Sequence, residues 1–270
     1  MDLRGIAAGL VLASAAAGPA ACGPQHADPA PHGGCLSPSA GDVAASPKGW
    51  RLVVRDDFDG TKLDPCWKAN RKYTGAGAPL SSLVTVDKGY LSLYAKGGDT
   101  GDLGLTRPQR YGRYDLRACS HITQGAWSGI FLWPAAGAVH SEIDIVEAAN
   151  EQHSWFNLHW GRDSQTNQQI PFPGPGRTQF ATAAPTGPSG CRQWHTWSFV
   201  WTASTMRLTM DGRTVVAKSD PAALAPFDQQ MNLLIEMERG ERGNDWSNGA
   251  PMAGSVSALY VDWVRIYTPA

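Results

Sequence analysis

The chain has 270 residues, and the part that remains after an N-terminal leader is long enough to bury the core of one all-β domain. Its formal net charge of −1 gives no electrostatic reason to expect nucleic acid or an anionic membrane as a partner. Charged residues make up only 17% of the chain and there are 30 glycines, which suits many short strands joined by tight turns.

The N-terminus is typical of an export signal. Arg4 precedes a short apolar stretch over residues 5–17, and two alanines stand before Cys22. This stretch is too short to span a bilayer, so we predict a signal peptide over residues 1–22, with a disordered tail as the alternative. Because a cysteine after small residues also suggests lipoprotein processing, Cys22 is a candidate lipid anchor. We expect a secreted protein or a cell-surface lipoprotein.

Residues 23–47 are rich in proline, glycine, alanine and serine and show no periodicity, which predicts a flexible linker before a domain over residues 48–270. That domain is predicted to form short strands over residues 51–56, 83–86, 90–95, 111–119, 127–133, 141–148, 155–160, 194–201, 206–210, 214–217, 231–238 and 259–267. Asp211 and Gly212 favour a type I′ hairpin turn. With no long helical period anywhere, the pattern indicates an antiparallel β-sandwich.

The five cysteines, at positions 22, 35, 66, 119 and 191, are an odd number for an exported chain. If Cys22 is lipidated or removed, the remaining four allow two disulfides in any of three pairings. A zinc site is disfavoured because no Cys-x-x-Cys spacing or clustered histidine pair occurs.

The most informative segment is residues 142–147, in which three carboxylates alternate with β-branched apolar residues. In a regular strand Glu142 and Asp144 point to one side and Glu147 to the other. One extra residue at a β-bulge, formed by Ile145 and Val146, places all three acids on one face.

Three acids on one rigid strand are costly, because like charges repel and raise one another's pKa. A two-carboxylate glycosidase uses this effect, since it needs one ionised nucleophile and one protonated acid. A calcium site or a solvated acidic strand edge is the alternative interpretation. The eleven tryptophans favour the glycosidase, because flat aromatic faces stack on sugar rings.

This run closely resembles the bulged catalytic signature of glycoside hydrolase family 16, the laminarinase-like β-glucanases. Five further segments resemble family motifs in the family's order: residues 55–64, 111–118, 194–202, 210–212 and 260–267. The resemblance covers roughly residues 50–267. It implies a β-jelly roll whose concave sheet forms the substrate cleft, and a monomeric enzyme that needs no cofactor.

The resemblance also implies the role of each acid. Glu142 matches the nucleophile and Glu147 the acid/base, with Asp144 as the assisting carboxylate between them. We expect the negative charge of Asp144 to raise the pKa of Glu147. The reaction is then hydrolysis with retention of configuration.

Around these acids the resemblance implies a set of substrate contacts: Trp127, Trp133, His159, Trp160, Arg113 and Trp246. His159 is expected near the acid/base, with a satisfied core histidine as the alternative. Trp133 is either a sugar platform or a core residue. Trp194, Trp197 and Trp201 are expected on the convex sheet, in core or structural roles.

By analogy with the family fold, Cys119 pairs with Cys191, and Cys35 with Cys66 pins the linker to the domain. A structural calcium on the convex side is possible in such proteins, and Asp262 matches the aspartate that holds it. A hydrogen-bonded strand aspartate is the alternative at Asp262.

Departures from the family pattern leave the substrate open. Residues 99–110 lack the expected polar strand, and Glu236 and Glu238 stand where relatives often have small or amide residues. We predict an endo-acting β-1,3-glucanase. A mixed-linkage β-1,3-1,4-glucanase and a galactan hydrolase follow as alternatives, and a non-catalytic glycan-binding protein is the alternative from another class.

Overall fold

The computed structural model describes residues 36–71, 78–96, 98–135, 140–148, 153–161, 177–179, 191, 194–239 and 255–270. Within these ranges the strands are β1 (Trp50–Asp56), β2 (Trp67–Arg71), β3 (Val84–Asp87), β4 (Tyr90–Lys96), β5 (Asp99–Leu105), β6 (Gly112–His121), β7 (Ala126–Pro134), β8 (His140–Ala148), β9 (His153–Gly161), β10 (Arg177–Gln179), β11 (His195–Trp201), β12 (Met206–Met210), β13 (Arg213–Lys218), β14 (Met231–Arg239) and β15 (Val256–Pro269). Two short helices are α1 (Ala40–Ala44) and α2 (Pro221–Leu224).

The strands pair antiparallel in two layers. One sheet has the order β13-β12-β11-β6-β15-β4, with β1 also paired to β15 and β3 to β4. The other has the order β10-β9-β8-β7-β14-β5, with β2 also paired to β5. Among the described residues, strand pairing joins the two sheets where the ends of β4 and β5 meet, through residues 95–96 and 99–100.

The core lies between the two sheets. The rings of Phe156 on β9 and Phe199 on β11 are 5.6 Å apart, so the sheets face each other across this contact. Trp197 and Trp201 are buried on the second of these strands, in the core role expected for them. Burying a side chain of this size stabilises a fold by about 1.5–3 kcal/mol. The predicted all-β antiparallel sandwich is therefore confirmed.

The predicted hairpin turn between β12 and β13 is present. Met210 pairs with Arg213, and the two residues between them, Asp211 and Gly212, have φ angles of 50° and 78°. Positive φ at both central residues defines a type I′ turn, whose twist matches that of the flanking strands.

Strand β5 corrects the prediction that residues 99–110 lack a strand. Two aspartates and two glycines lower the strand propensity of this segment, yet it pairs with β14 on one side and with β2 on the other. Gly101 is required by close packing, because a Cβ atom at this position would lie 2.6 Å from the carbonyl oxygen of Leu83. Tertiary packing thus overrides local preference. Strands β2 and β10 were also absent from the predicted set.

Residues 36–47 correct the predicted linker, because they fold onto the domain. Helix α1 begins after Ser39, whose side chain and that of Asp42 form a reciprocal capping box. Asp42 also forms an ion pair with Arg55 of β1, and the Ser46 hydroxyl accepts a hydrogen bond from the Leu52 amide at 2.9 Å. The boundary predicted at residue 48 is therefore too late.

The predicted signal peptide, Cys22 and most of the predicted linker lie outside the described residues. Within the described ranges, no helix is long and apolar enough to cross a membrane.

A disulfide joins Cys119, near the end of β6, to Cys191, with their Cα atoms 5.9 Å apart. This confirms the first predicted pairing. Cys66 is also disulfide-bonded. Cys35 lies outside the described residues, so its pairing with Cys66 stays a prediction.

Candidate active site

The predicted β-bulge is present in β8. On one side Asp144 pairs with Asn157 and Glu147 with Trp155, so three steps along β8 match two along β9. The pairing with β7, on the other side, shows the same extra residue in β8, since the consecutive residues 130 and 131 of β7 oppose Val146 and Asp144. Ile145 is the residue left unpaired by both neighbours, and the bulge turns Glu147 to the face that carries Glu142 and Asp144.

The opposite face of β8 anchors the strand. Its apolar side chains are at most 6% exposed and belong to the main core: Ile143, Ile145 and Val146. On the acid face Asp144 is only 2% exposed, whereas Glu142 and Glu147 are half-buried. The two outer acids are thus accessible to a ligand and the middle one is sealed between them.

Strand β9 supplies the polar partners of the acids. Asn157 donates a hydrogen bond from Nδ2 to Glu147 Oε2 at 2.5 Å. His159 lies opposite Glu142, and its Nε2 is 2.9 Å from Asp144 Oδ2. Side-chain atoms of Glu142, Asp144 and His159 lie within 4.8 Å of one another. His159 therefore lies beside Glu142 and Asp144, and Asn157 is hydrogen-bonded to Glu147.

Asp144 is the acid of the three whose surroundings most disfavour a negative charge. Burial raises its pKa well above the usual range, and the neighbouring charges of Glu147 and Glu142 raise it further. Protonated Asp144 donates a hydrogen bond to Glu147, which also favours the neutral form of Asp144.

The pKa of Glu147 is also raised, and burial is the main cause. Hydrogen bonds from Asn157 and Asp144 act in the opposite direction, because they stabilise its ionised form. The prediction that a negative charge on Asp144 raises the pKa of Glu147 is therefore wrong in its cause. Asp144 and Glu147 titrate as a coupled pair, so their raised pKa values belong to the pair.

Asp144→Asn is expected to raise thermal stability, most strongly at high pH. As pH rises above about 4, the unfolded chain releases the Asp144 proton while the folded chain retains it, so the wild type loses stability over this interval. Asparagine does not titrate. We expect a gain in Tm of a few degrees at pH 8 and little gain at pH 4, measured by calorimetry. Asp87→Asn, at an exposed turn, is the control, and an equal gain at both pH values contradicts the prediction.

Two of the predicted tryptophans lie on the acid face of the sheet. Gly129 of β7 pairs with Glu147 and so lies on the acid face. Trp127 lies two residues before Gly129 and Trp133 four residues after it. Because β7 pairs with β14 without a shift in register, these even spacings place both tryptophans on the same face. Trp133 is 37% exposed and lines a groove of about 400 Å³. Lys68, Asn70 and Asn232 line the same groove. Trp133 is thus a surface platform and not a core residue.

Trp133→Ala is expected to raise KM for a glycan substrate about five- to tenfold while changing kcat less. Stacking by one aromatic ring is worth about 1 kcal/mol, and 1.4 kcal/mol corresponds to a tenfold change in affinity. Steady-state kinetics on oligosaccharides of increasing length measures the effect. Trp194→Ala, which removes a half-buried indole from the neighbourhood of β6, is the control. An unchanged KM for every chain length contradicts a subsite at Trp133.

The structure does not bring Arg113 to the acids, which corrects its predicted role as a substrate contact. It lies on β6 in the other sheet, opposite Val200 and Tyr267. Its Nε donates to both carboxylate oxygens of Asp115 at 2.9 Å, and its guanidinium lies over the ring of Tyr267. Trp160 belongs to β9 opposite Ser141, but its side chain is outside what the structure describes. Trp246 lies outside the described residues.

Asp262 is the residue for which a structural calcium was predicted. It lies at a β-bulge of β15, and its Oδ2 accepts a hydrogen bond from Arg117 Nη1 at 2.5 Å. A guanidinium against the carboxylate takes the place of a cation, so this residue does not fit a calcium ligand. The geometry instead matches the alternative, a hydrogen-bonded strand aspartate.

Three polar residues near the acids were not predicted as part of the site: Asn157, Glu236 and Glu238. Asn157 has a signal in the sequence, since it is two residues before His159 and so shares its face in an unbulged strand. The two glutamates stood out only as departures from the family pattern. Their position beside β7 depends on the pairing of β14 with that strand, which local patterns do not reveal.

Comparison with known proteins finds relatives in sequence and in fold. Glucan endo-1,3-beta-glucosidase A1 of Niallia circulans is 27% identical over 177 residues, which span 58% of this chain but only 24% of that protein. The laminarinase of Rhodothermus marinus shares the fold with a TM-score of 0.64 at 21% identity, covering 82% of this chain and 98% of that one. LamA of Zobellia galactanivorans, in complex with laminaritriose and laminaritetraose, has a TM-score of 0.62 at 21% identity over 80% and 98% of the two chains.

The family assignment follows from a match that includes the bulged strand and both of its neighbours. Residues 79–265 match the family described as Glycosyl hydrolases family 16. This range is more than half of the 270 residues. The chain belongs to glycosyl hydrolases family 16.

Proposed function

We propose that this chain is an endo-acting hydrolase of β-1,3-glucan that works by a retaining double displacement. The observation that carries the proposal is the bulge in β8, which lines up Glu142, Asp144 and Glu147 on one face. A nucleophile and an acid on the same strand lie close together, as a direct attack on the sugar requires.

In the first step Glu142 Oε attacks the anomeric carbon from the α face. The bond from that carbon to the leaving oxygen breaks, and this oxygen takes a proton from Glu147. A covalent glycosyl-enzyme results. In the second step ionised Glu147 removes a proton from water, whose oxygen attacks the same carbon and releases Glu142.

Asp144 acts on Glu147 between the two steps. Its burial keeps it neutral, so it donates a hydrogen bond to Glu147 when that group is ionised. The Nε2 atom of His159 lies 2.9 Å from Asp144 Oδ2 on the other side. Buried Asp144 therefore stabilises the negative charge that Glu147 carries between the two steps.

The proposed substrate class comes from the relatives. One is named a glucan endo-1,3-beta-glucosidase, and another was crystallised with laminari-oligosaccharides. The groove beside Trp133 lies to one side of the acid-bearing strand β8, and its polar lining offers room for sugar units of a bound polymer. The matched segment spans 24% of the Niallia circulans protein, and the activity in that protein's name is part of the proposal for this chain.

Reducing-sugar release from laminarin, lichenan, agarose and carrageenan tests the proposal, with the Glu142→Gln variant alongside. Release from laminarin by the wild type alone is the expected result. Release from lichenan but not laminarin selects a mixed-linkage glucanase, and release from agarose or carrageenan selects a galactan hydrolase. Binding to laminarin without release from any glycan rejects hydrolysis and favours a glycan-binding protein.

We also propose that the protein is exported. The disulfide between Cys119 and Cys191 supports this, because such bonds persist in oxidising compartments. The signal-like N-terminus supports it independently. Fractionation of the native host tests the proposal, and recovery of the protein in the reducing cytosol contradicts it.

A further inference from the structure

Gly129 lies between two glutamates in the register of the acid-bearing sheet. It pairs with Glu147 of β8 on one side and with Glu236 of β14 on the other. Glu236 in turn pairs with Asp102 on β5, so the four residues form one row across the sheet. Because directly opposite residues share a face, both glutamates point to the acid face, and the glycine leaves the space between them without a side chain.

Glu236 occupies that space. A methyl group built on Gly129 would lie 3.3 Å from Glu236 Cγ and 3.4 Å from Glu236 Oε1. The carboxylate therefore lies over the backbone of β7 and does not extend away from it. Glu236 is only 8% exposed, so solvent screens its charge poorly on this side.

We propose that Glu236 is a positioning residue of the active site, which crosses β7 above Gly129 and helps to keep the Asp144–Glu147 pair protonated. This inference rests on the proposed function. Glu236 does not contact the reacting atoms. Its negative charge disfavours the loss of a proton from the coupled pair, so that Glu147 remains a competent proton donor at higher pH than the triad alone allows.

Electrostatics support this geometry. Burial is the main cause of the raised pKa of Asp144, Glu147 and Glu142 come next, and Glu236 adds to them. Besides Asp144 and Glu147 themselves, the described titratable groups on this face are Glu142, His159, Glu236, Glu238, Asp102 and Lys68. Glu238, opposite Trp127, raises the pKa of Glu147 in the same sense. Beyond β9 the row reaches the backbone of Arg177 on β10.

Glu236→Gln tests the inference, because it keeps the shape and removes the charge. Without this charge the pair loses its proton at lower pH, so we expect kcat/KM on laminarin to fall about three- to tenfold above pH 8. Near pH 5 the variant should match the wild type. KM should change little at either pH, because Glu236 acts on the proton and not on sugar binding. An unchanged pH profile overturns the inference.

Gly129→Ala tests the path that Glu236 takes. The added methyl group would crowd Glu236 at 3.3 Å and the Phe131 ring at 3.4 Å, so the Glu236 carboxylate must shift by a few tenths of an ångström. We expect this variant to show a smaller loss of activity above pH 8 of the same kind. In a Glu236→Ala background the same substitution should have no further effect on the pH profile. Full additivity of the two substitutions contradicts a shared mechanism. Asp87→Asn, which removes one exposed charge, controls for net charge.

A stability cycle separates this inference from the proposed function. We expect Glu236→Gln to raise Tm more at pH 9 than at pH 5, and this gain to shrink in the Asp144→Asn background. If the wild type hydrolyses no glycan, the proposed function fails, while the cycle still tests the coupling between Glu236 and Asp144. Equal gains in both backgrounds show that the two groups are uncoupled and overturn the inference.

Discussion

Glu142→Gln is expected to lower kcat/KM on laminarin by about 10⁴-fold or more, because the variant lacks the group that attacks the anomeric carbon. The amide is nearly isosteric with the carboxylate, and it removes one charge from a face crowded with acids. The fold should therefore persist, with a Tm at or above that of the wild type. Reducing-sugar assays and circular dichroism measure the two effects on the same preparation.

Azide rescue of Glu142→Ala identifies the role of this residue. Azide enters the space left by the side chain and attacks the anomeric carbon from the α face, so a β-glycan yields an α-glycosyl azide. NMR of the product assigns its configuration. A β-glycosyl azide reverses the roles of Glu142 and Glu147. Asp87→Asn is the control for charge removal, and a loss of activity in that variant shows that the effect is not specific to the site.

Glu147→Gln is expected to lower kcat/KM on laminarin by about 10²–10⁴-fold, since the leaving oxygen no longer receives a proton. A dinitrophenyl β-glycoside needs no such proton, so its first step should be nearly as fast as in the wild type. The glycosyl-enzyme then accumulates because no base activates water. Stopped-flow spectroscopy should show a burst of dinitrophenol followed by slow turnover.

Two further results follow if Glu147 is the acid/base. Azide should speed turnover of Glu147→Ala and yield a β-glycosyl azide, because it attacks the glycosyl-enzyme formed on Glu142. The decline in kcat/KM at high pH should also disappear, since the group that loses its proton there has been removed. Equal losses on laminarin and on the dinitrophenyl glycoside contradict the assignment.

Local order in the sequence determined the catalytic strand. The alternation of side chains along a strand is a property of the backbone alone, so the spacing of Glu142, Asp144 and Glu147 required a bulge to place the three acids on one face. The type I′ turn at Asp211 and Gly212 was predictable for the same reason. Both features depend on neighbouring residues and not on distant ones.

Tertiary structure decided what depends on distant residues. Strand β5 forms despite its glycines because β14 and β2 pair with it, and Gly101 is needed where the chain passes Leu83. Burial raises the pKa of Asp144, and no spacing in the sequence reports burial. Glu236 reaches the acids only because β14 lies beside β7, about 100 residues away along the chain, and because the facing residue is a glycine. Strand spacing thus determined which acids face the substrate, while packing decided which of them hold a proton.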